Sequence, residues 1–191
     1  AIENSSNTIS DALENITLNL NDVTTGNQTL TITQDTSKAQ TAIKDWVNAY
    51  NSLIDTFSSL TKYTAVDAGA DSQSSSNGAL LGASTLRTIQ TQLKSMLSNT
   101  VSSSNYKTLA QIGITTDPSD GKLELDADKL TAALKKDASG VGALIVGDGK
   151  KTGITTTIGS NLTSWLSTTG IIKAATDGVS KTLNKLTKDY N

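Results

Sequence analysis

Apolar side chains recur at alternating steps of four and three residues between Ala39 and Leu60, which predicts a long amphipathic helix from about Thr36 to Lys62. The stripe consists of Ala39, Ile43, Trp46, Tyr50, Leu53, Phe57 and Leu60, with Val47 and Ile54 beside it. It holds the only Phe and one of the two Trp of the chain. Because aromatic side chains bury the most apolar surface, we expect this helix to pack against other helices.

A second stripe, after a helix start near Ser84, has the same period as the first. Its members are Leu86, Ile89, Leu93 and Met96. Matching stripes favour two helices that pair antiparallel within one chain, with Tyr50 in the core, over a coiled coil between chains. Asp126 is expected to cap a short helix that carries Leu130, Ala133 and Leu134, and an apolar patch at residues 141–146 follows it. Further helical stripes lie in residues 154–165 and from about Thr169 to Tyr190.

Two pairs of short segments alternate apolar and polar residues with period two, which is the pattern of β-strands. Residues 16–20 and 28–33 form the first pair and predict a hairpin. Residues 112–116 and 122–125 form the second pair, on either side of an Asp-Pro-Ser-Asp-Gly turn. Because a two-stranded hairpin is marginally stable alone, we expect the first one to belong to a β-domain with further strands upstream.

The predicted fold is therefore mainly α with β-hairpins, an α+β arrangement. Residues 1–34 are expected to be the terminal strands of an incomplete β-domain. Residues 35–191 are expected to form an antiparallel helical bundle, a stem domain with a β-hairpin inserted at about residues 110–126. Residues 64–78 are rich in Gly, Ser and Asp without periodicity, which predicts a flexible connection.

Composition narrows the classes of function. Sixteen Lys and Arg against eighteen Asp and Glu give a net charge of −2 without a basic patch, so nucleic acid is not expected as a partner. No apolar run approaches the roughly 20 residues that span a bilayer, so membrane insertion is not expected either. The chain contains no Cys and no His, which removes thiolate and imidazole chemistry. We therefore expect no enzyme, no catalytic residue, no metal site and no cofactor. Ser and Thr account for 53 of the 191 residues, so the core is expected to contain few large apolar side chains.

Two loops imitate ligand-binding motifs without fitting them. In the Gly-Asp-Gly-Lys-Lys-Thr segment at residues 147–152, the glycines lie too close together for a phosphate-binding loop, and Lys151 takes the hydroxyl position. The acidic residues around Gly121 do not fit a calcium loop, because that register places Thr116 first and Ala127 twelfth. Both segments are better interpreted as plain turns.

Other candidate residues are explained by composition or by packing. Ser104 and Lys107 satisfy a Ser-x-x-Lys spacing that is expected by chance in a chain so rich in Ser. The same holds for the four Asn-x-Ser or Asn-x-Thr triplets, which begin at Asn4, Asn15, Asn27 and Asn161. Trp46 and Trp165 lie on apolar helix faces and are expected to be core or packing residues before they are ligand platforms.

The order of several short segments carries a family resemblance. They are residues 6–12 (Ser-Asn-Thr-Ile-Ser-Asp-Ala), 49–51 (Ala-Tyr-Asn), 78–82 (Gly-Ala-Leu-Leu-Gly), 84–87 (Ser-Thr-Leu-Arg), 111–115 (Gln-Ile-Gly-Ile-Thr), 123–126 (Leu-Glu-Leu-Asp) and 147–149 (Gly-Asp-Gly). In this order and at these separations, they resemble the C-terminal half of the bacterial flagellar filament cap family, the hook-associated protein 2 family. The resemblance spans nearly the whole chain.

The resemblance implies a secreted, non-enzymatic structural protein at the distal tip of the flagellar filament, exported by the flagellar type III pathway. The full-length protein would form a ring of five or six subunits that promotes folding and insertion of exported flagellin and prevents its loss. The implied partners are further copies of itself, flagellin, the hook–filament junction protein and an export chaperone. The family's N-terminal helix and the end of its C-terminal helix would flank this segment. The sequence assigns no residue to a partner-binding site.

Two alternatives remain open at this level. The chain is also compatible with another flagellar axial protein, a junction protein or flagellin, although a hairpin inside a helical region favours the cap. A surface adhesin that binds host glycans through exposed loops such as residues 64–78 is the other alternative.

Overall fold

The computed structural model describes residues 3–13, 16–29, 31, 34–102 and 104–190. The chain divides into two compact units, Ala1–Gln34 and Asp35–Asn191. Its regular structure is mainly helical, with two small antiparallel sheets of two strands each. The predicted α+β class, mainly α, is therefore confirmed.

The first unit contains one β-hairpin, whose strands are β1 (Thr8–Leu13) and β2 (Ile16–Asn19). The two strands pair antiparallel, with Ile9 opposite Leu18 and an irregular register between Ile9 and Leu13. The predicted strand at 16–20 is thus present over residues 16–19, and its partner in the described residues is β1, a strand that the sequence pattern did not predict. Only two residues separate β1 from β2, so closing this hairpin costs less chain entropy than closing the predicted seven-residue loop.

The predicted partner strand is only partly visible. Residues 28, 29 and 31 lie outside any strand, whereas residues 30, 32 and 33 fall outside the described part of the chain. The pairing of residues 28–33 with β2 therefore stays a prediction.

The second unit contains five helices and the inserted hairpin in its described residues. Their bounds are α1 (Ser37–Thr61), α2 (Ser84–Ser98), β3 (Ile114–Thr116), β4 (Leu123–Leu125), α3 (Ala127–Ile145), α4 (Ile154–Leu166) and α5 (Ile171–Tyr190), with a short 3₁₀ helix (Leu109–Ile112) before β3. Strands β3 and β4 pair antiparallel, with Thr115 opposite Glu124, as the turn sequence between them predicts. The apolar segment at 141–146, predicted to follow a short helix, is largely the second half of α3.

The predicted connection between α1 and α2 has no regular secondary structure, but its far end returns to the end of α1. The Gly78 N–H donates to the Lys62 carbonyl at 2.8 Å, and the Leu80 N–H donates to the Leu60 carbonyl at 2.9 Å. These bonds satisfy carbonyls that the last turn of α1 leaves without helical partners. They place the start of α2 beside the end of α1.

One continuous apolar core fills the second unit. Its most enclosed members are Leu93, Ile112, Ile114, Leu130, Leu134, Val141 and Leu144. The backbone of α1 approaches β4 and α3 most extensively, whereas that of α2 approaches α4 and α5. The simple antiparallel pair of α1 and α2 expected from their equal periods is therefore not the main packing. The inserted hairpin takes up part of the surface of α1 that α2 was expected to cover.

Candidate functional site

The inserted hairpin is fastened to the middle of α1 by the side chain of Asn51. The Asn51 Nδ2 donates to the Leu123 carbonyl at 2.8 Å, and the Leu123 N–H donates to Asn51 Oδ1 at 2.7 Å. One amide side chain thus satisfies both backbone groups of a strand residue, as a neighbouring strand would do. This pair of bonds sets the position of β4 along the helix.

We call the two hydrogen bonds between Asn51 and Leu123 the Asn51 clamp. Two further contacts between α1 and the hairpin lie beside it. The buried Tyr50 hydroxyl donates to the Gly121 carbonyl at 3.5 Å, and burial raises the pKa of its phenol, so it stays protonated at neutral pH. Lys122 forms an ion pair with Asp55 at 2.7 Å, and the hydrogen bond to Asp55 raises the pKa of the Lys122 ammonium. Tyr50 therefore lies in the core, as predicted, and holds the turn of the hairpin.

A large apolar groove lies among the helices of the second unit. It has a volume of about 1050 Å³ and is bounded by α1, α2, α4 and α5. The residues that line it include Phe57, Ile89, Leu162, Trp165, Val179 and Leu183. We call this surface the apolar groove.

The wall formed by α5 is the least covered part of the groove. Among the described side chains of α5 none is buried, and Val179, Leu183 and Leu186 are 71%, 62% and 61% exposed. These residues belong to the stripe that the sequence predicted, so the helix is where expected. The stripe does not, however, complete a closed bundle within the described residues.

The chemistry of the apolar groove is that of a packing surface. Its described lining residues are uncharged, and the polar ones are Ser or Thr on α2 and α5. Four of its apolar lining residues, Leu166, Val179, Leu183 and Leu186, are each more than 60% exposed, which makes this surface a candidate interaction site. The groove is therefore suited to bind the apolar face of a protein segment.

The loop that imitates a phosphate-binding motif is occupied by its own side chain. The Asp148 carboxylate accepts hydrogen bonds from the backbone N–H groups of Lys150, Lys151 and Thr152 at 2.7–2.9 Å. The bonds from Thr152, Lys151 and Lys150 hold the pKa of the Asp148 carboxyl far below its usual range. The donors that would cradle a phosphate are thus already used, which agrees with the interpretation of this segment as a plain turn.

The remaining sequence candidates also have structural roles. The Lys107 ammonium donates to the carbonyls of Ser102 and Ser104, and the Ser104 hydroxyl donates to the Gly140 carbonyl, so the Ser-x-x-Lys pair holds a loop together. The side chain of Asp117 accepts from the N–H and hydroxyl of Ser119, which stabilises the hairpin turn. The described residues contain no cluster of acidic side chains suited to a metal ion.

The two tryptophans differ in environment. Trp165 is buried and forms the floor of the apolar groove. Trp46 is partly buried, packs against the core and lies with its ring centroid 6.4 Å from that of Tyr50. Both are packing residues in this structure.

The described helices include none with the length and apolar character needed to cross a lipid bilayer.

Comparison with known proteins identifies the family. The family model described as "Flagellar hook-associated protein 2 C-terminus" matches residues 1–191. The chain belongs to this family. The flagellar hook-associated protein 2 of Escherichia coli K12 is 99% identical over all 191 residues, and that of Salmonella typhimurium is 53% identical over 189 residues. These residues cover 100% and 99% of this chain but only 41% and 40% of the two relatives, so the chain spans less than half of their length.

A solved structure with the same arrangement is the crystal structure of the D1-D2-D3 domains of the Escherichia coli flagellar cap protein FliD. It matches 93% of this chain with a TM-score of 0.69 and 92% sequence identity, and the matched part is 46% of that chain. The hook-associated protein 2 family is thus supported by both sequence and fold.

Sequence reasoning missed two features of this site. The stripe on α5 was recognised, but nothing in its period distinguishes a covered stripe from an exposed one. The role of Asn51 gives no periodic signal either, because a polar residue beside an apolar stripe is ordinarily a solvated flank.

Proposed function

We propose that this chain is the C-terminal part of a cap protein at the distal tip of the bacterial flagellar filament. The observation that carries the proposal is the family match over all 191 residues. In this role the full-length protein is structural and not an enzyme. It oligomerises into a ring, promotes the folding and insertion of exported flagellin, and prevents the loss of flagellin from the filament end.

Within that protein, residues 35–191 supply most of a helical stem domain, and residues 1–34 supply the terminal strands of a β-domain completed upstream. The apolar groove supports the proposal that residues 35–191 are only part of the stem domain, because the α5 wall of the groove is amphipathic and uncovered. More than half of the length of the Escherichia coli relative lies outside the matched residues, which provides the chain needed to fill the groove. We propose that a helix from that part of the same polypeptide packs there.

The partners and location follow from the same role. The partners are further copies of the protein in a ring of five or six subunits, flagellin, the hook–filament junction protein and an export chaperone. Export by the flagellar type III pathway brings the protein to the filament tip. The absence of Cys is compatible with this route, because the chain forms no disulfide that would hinder unfolding before export.

A deletion and complementation experiment tests the proposed function. Bacteria that lack the full-length protein are expected to release flagellin monomers into the medium and to build few filaments, and the intact gene is expected to restore filament growth. Filaments of normal number and length in the deletion strain would contradict the proposal.

A matched pair of variants tests the groove within the full-length protein. Val179→Asp places a charge on the groove wall, whereas Ser180→Asp places the same charge on an exposed neighbouring position of α5. Because an unpaired charge is costly in an apolar contact, only Val179→Asp is expected to lower thermal stability and filament growth. Equal behaviour of the two variants would show that nothing packs against this face.

Imaging of gold-labelled protein on filaments distinguishes the cap from the other axial proteins. A cap protein is expected only at the distal end. Label along the whole length would indicate flagellin, and label at the hook end would indicate a junction protein.

A further inference from the structure

Helix α3 is broken in its middle without a proline. Asp137 has φ −158° and ψ 81°, outside the helical region, and the only Pro of the chain is Pro118. The Asp137 carboxylate accepts from the Gly140 N–H and from the Ser139 hydroxyl, both at 2.8 Å. Asp137 therefore acts as the N-cap of the second half of α3.

The apolar stripe of α3 continues across this break. At about 100° per residue, Leu130, Leu134, Val141 and Ile145 would share an arc of about 60° on an unbroken helix. All four are buried in the present structure. An unbroken α3 would therefore keep one apolar face, so the apolar pattern itself does not require the break.

The residue at the break is the one that conflicts with an unbroken helix. Asp137 follows Leu130 by seven residues, so on an unbroken helix it would lie within about 20° of Leu130 on the apolar face. Burying a carboxylate without partners is unfavourable. In the broken helix Asp137 is instead only half-buried, and its carboxylate accepts three hydrogen bonds.

A neighbouring loop, residues 104–107, binds α3 on both sides of the break. On the second half, the buried Ser104 hydroxyl donates to the Gly140 carbonyl at 2.6 Å, and Asn105 Nδ2 donates to Asp137 Oδ2 at 2.7 Å. On the first half, the Tyr106 hydroxyl donates to the Ala133 carbonyl at 3.3 Å. The loop thus holds the two halves of α3 in a defined relation.

The second half of α3 is tied in turn to α4. The Thr155 hydroxyl donates to the Ile145 carbonyl and the Thr156 hydroxyl donates to the Val146 carbonyl, both at 2.8 Å. Helix α4 contributes Leu162 and Trp165 to the apolar groove. A change in direction of the second half of α3 would therefore move one wall of the groove.

We propose that residues 104–107 are a latch on a hinge at Asp137, and that the latched hinge sets the position of the α4 wall of the apolar groove. When the latch is released, α3 gains access to the unbroken form and the groove changes width. If the break were instead caused only by the Asp-x-Ser-Gly sequence of α3, removing the loop contacts would leave it unchanged.

Distance measurements by pulsed electron paramagnetic resonance test this proposal in the full-length protein. These 191 residues contain no Cys, so spin labels can be introduced as Asp128→Cys and Gly142→Cys after any cysteine elsewhere is replaced by Ser. Both positions are exposed, and a Cβ at Gly142 would meet nothing within 4 Å. On an unbroken helix their Cα atoms would be about 21 Å apart.

The latch is released by Asn105→Ala, alone and together with Ser104→Ala. Asn105 is exposed, so its replacement leaves no cavity in the core. The parent is expected to give one distance distribution, and the latch variants to add a population near the unbroken value. Asp137→Leu completes the apolar stripe of α3 and is expected to shift most of the population to the distance of the unbroken helix. Asn161→Ala, which removes a comparable amide hydrogen bond within α4, is the control and should match the parent.

A second label pair, Gln92→Cys on α2 and Ser160→Cys on α4, reports on the groove. The latch variants are expected to shift or broaden this distribution together with that of α3. Latch variants that match the parent at the α3 pair would overturn the latch, even if Asp137→Leu shifts that pair. A shift at the α3 pair with an unchanged groove pair would overturn the coupling to the groove.

Discussion

Helices α1 and α5 have equally regular apolar stripes but opposite environments. The stripe of α1 has five buried residues, Ile43, Val47, Tyr50, Ile54 and Phe57, whereas none of the described side chains of α5 is buried. Helix α1 is covered by β4 and α3 and clamped by Asn51. Helix α5 contacts α4 and α2 along only part of its surface and leaves the rest of its stripe in the groove.

The difference between α1 and α5 shows that an amphipathic pattern indicates that a helix needs a packing partner, but does not show whether that partner is present. Helix α1 finds its partners within residues 35–191, which include the hairpin that follows α2. The α5 stripe remains open, which agrees with a chain that spans less than half of its relatives. The following changes test whether the two helices differ only in how much of the protein is present.

The largest loss of stability is expected from a substitution in the covered stripe of α1. Ile54→Ala in the 191-residue chain should lower the free energy of unfolding by about 3 kcal/mol, because it leaves a cavity beside Phe57 and Val47. Urea denaturation followed by circular dichroism measures this loss. A loss below about 1 kcal/mol would mean that α1 is less tightly packed than the structure indicates.

A smaller loss of stability is expected from a substitution in the open stripe of α5, and its size should depend on whether the rest of the protein is present. Leu183→Ala should change the stability of the 191-residue chain by no more than about 0.5 kcal/mol, since the side chain is already exposed. In the full-length protein the same substitution should cost about 2 kcal/mol, because a packed helix would bury the leucine. Denaturation of both proteins, with and without the substitution, gives the difference. The same small effect in both would argue against a helix in the groove.

The next effect on the free energy of unfolding is expected from the pair of hydrogen bonds between Asn51 on α1 and Leu123 in the hairpin. Asn51→Ala leaves the backbone N–H and carbonyl of Leu123 without their partners, at a cost of about 1–3 kcal/mol. Asn48→Ala, on an exposed face of the same helix, is the control and should cost less than about 0.5 kcal/mol. Amide exchange of β4 should become faster only in the Asn51 variant.

The smallest effect is expected at the ion pair between Asp55 and Lys122. Asp55→Asn should return the pKa of the Lys122 ammonium toward 10.5, its ordinary value, as measured by NMR titration. Because the folded state raises this pKa, the stabilisation is fully present below pH 10.5 and is lost as the pH rises through the folded-state value. The difference between parent and variant should also shrink at high salt, because both side chains are partly exposed.

Local patterns were most informative where neighbours in sequence are also neighbours in space. The bounds of α1 and α2 and the β3–β4 hairpin follow from spacing and turn chemistry, which act within a few residues. The pairing of β2 with β1 was not predicted, because the pattern of a single segment does not say which other segment it meets. The break in α3 was not predicted, although the bonds from Ser139 and Gly140 to the Asp137 carboxylate are local. The third bond to this carboxylate comes from Asn105, 32 residues away, which no local pattern reports.

The sequence by itself determined the class of fold, the helices with their apolar faces, the inserted hairpin and the family. These properties depend on local geometry and on the order of short segments along the chain. Only the tertiary structure decided that Asn51 clamps β4 onto α1, that Asp148 occupies its own loop, and that the α5 stripe lies open. Such properties depend on which groups meet after folding, and the hydrogen bonds and buried surfaces that result join residues far apart in the chain.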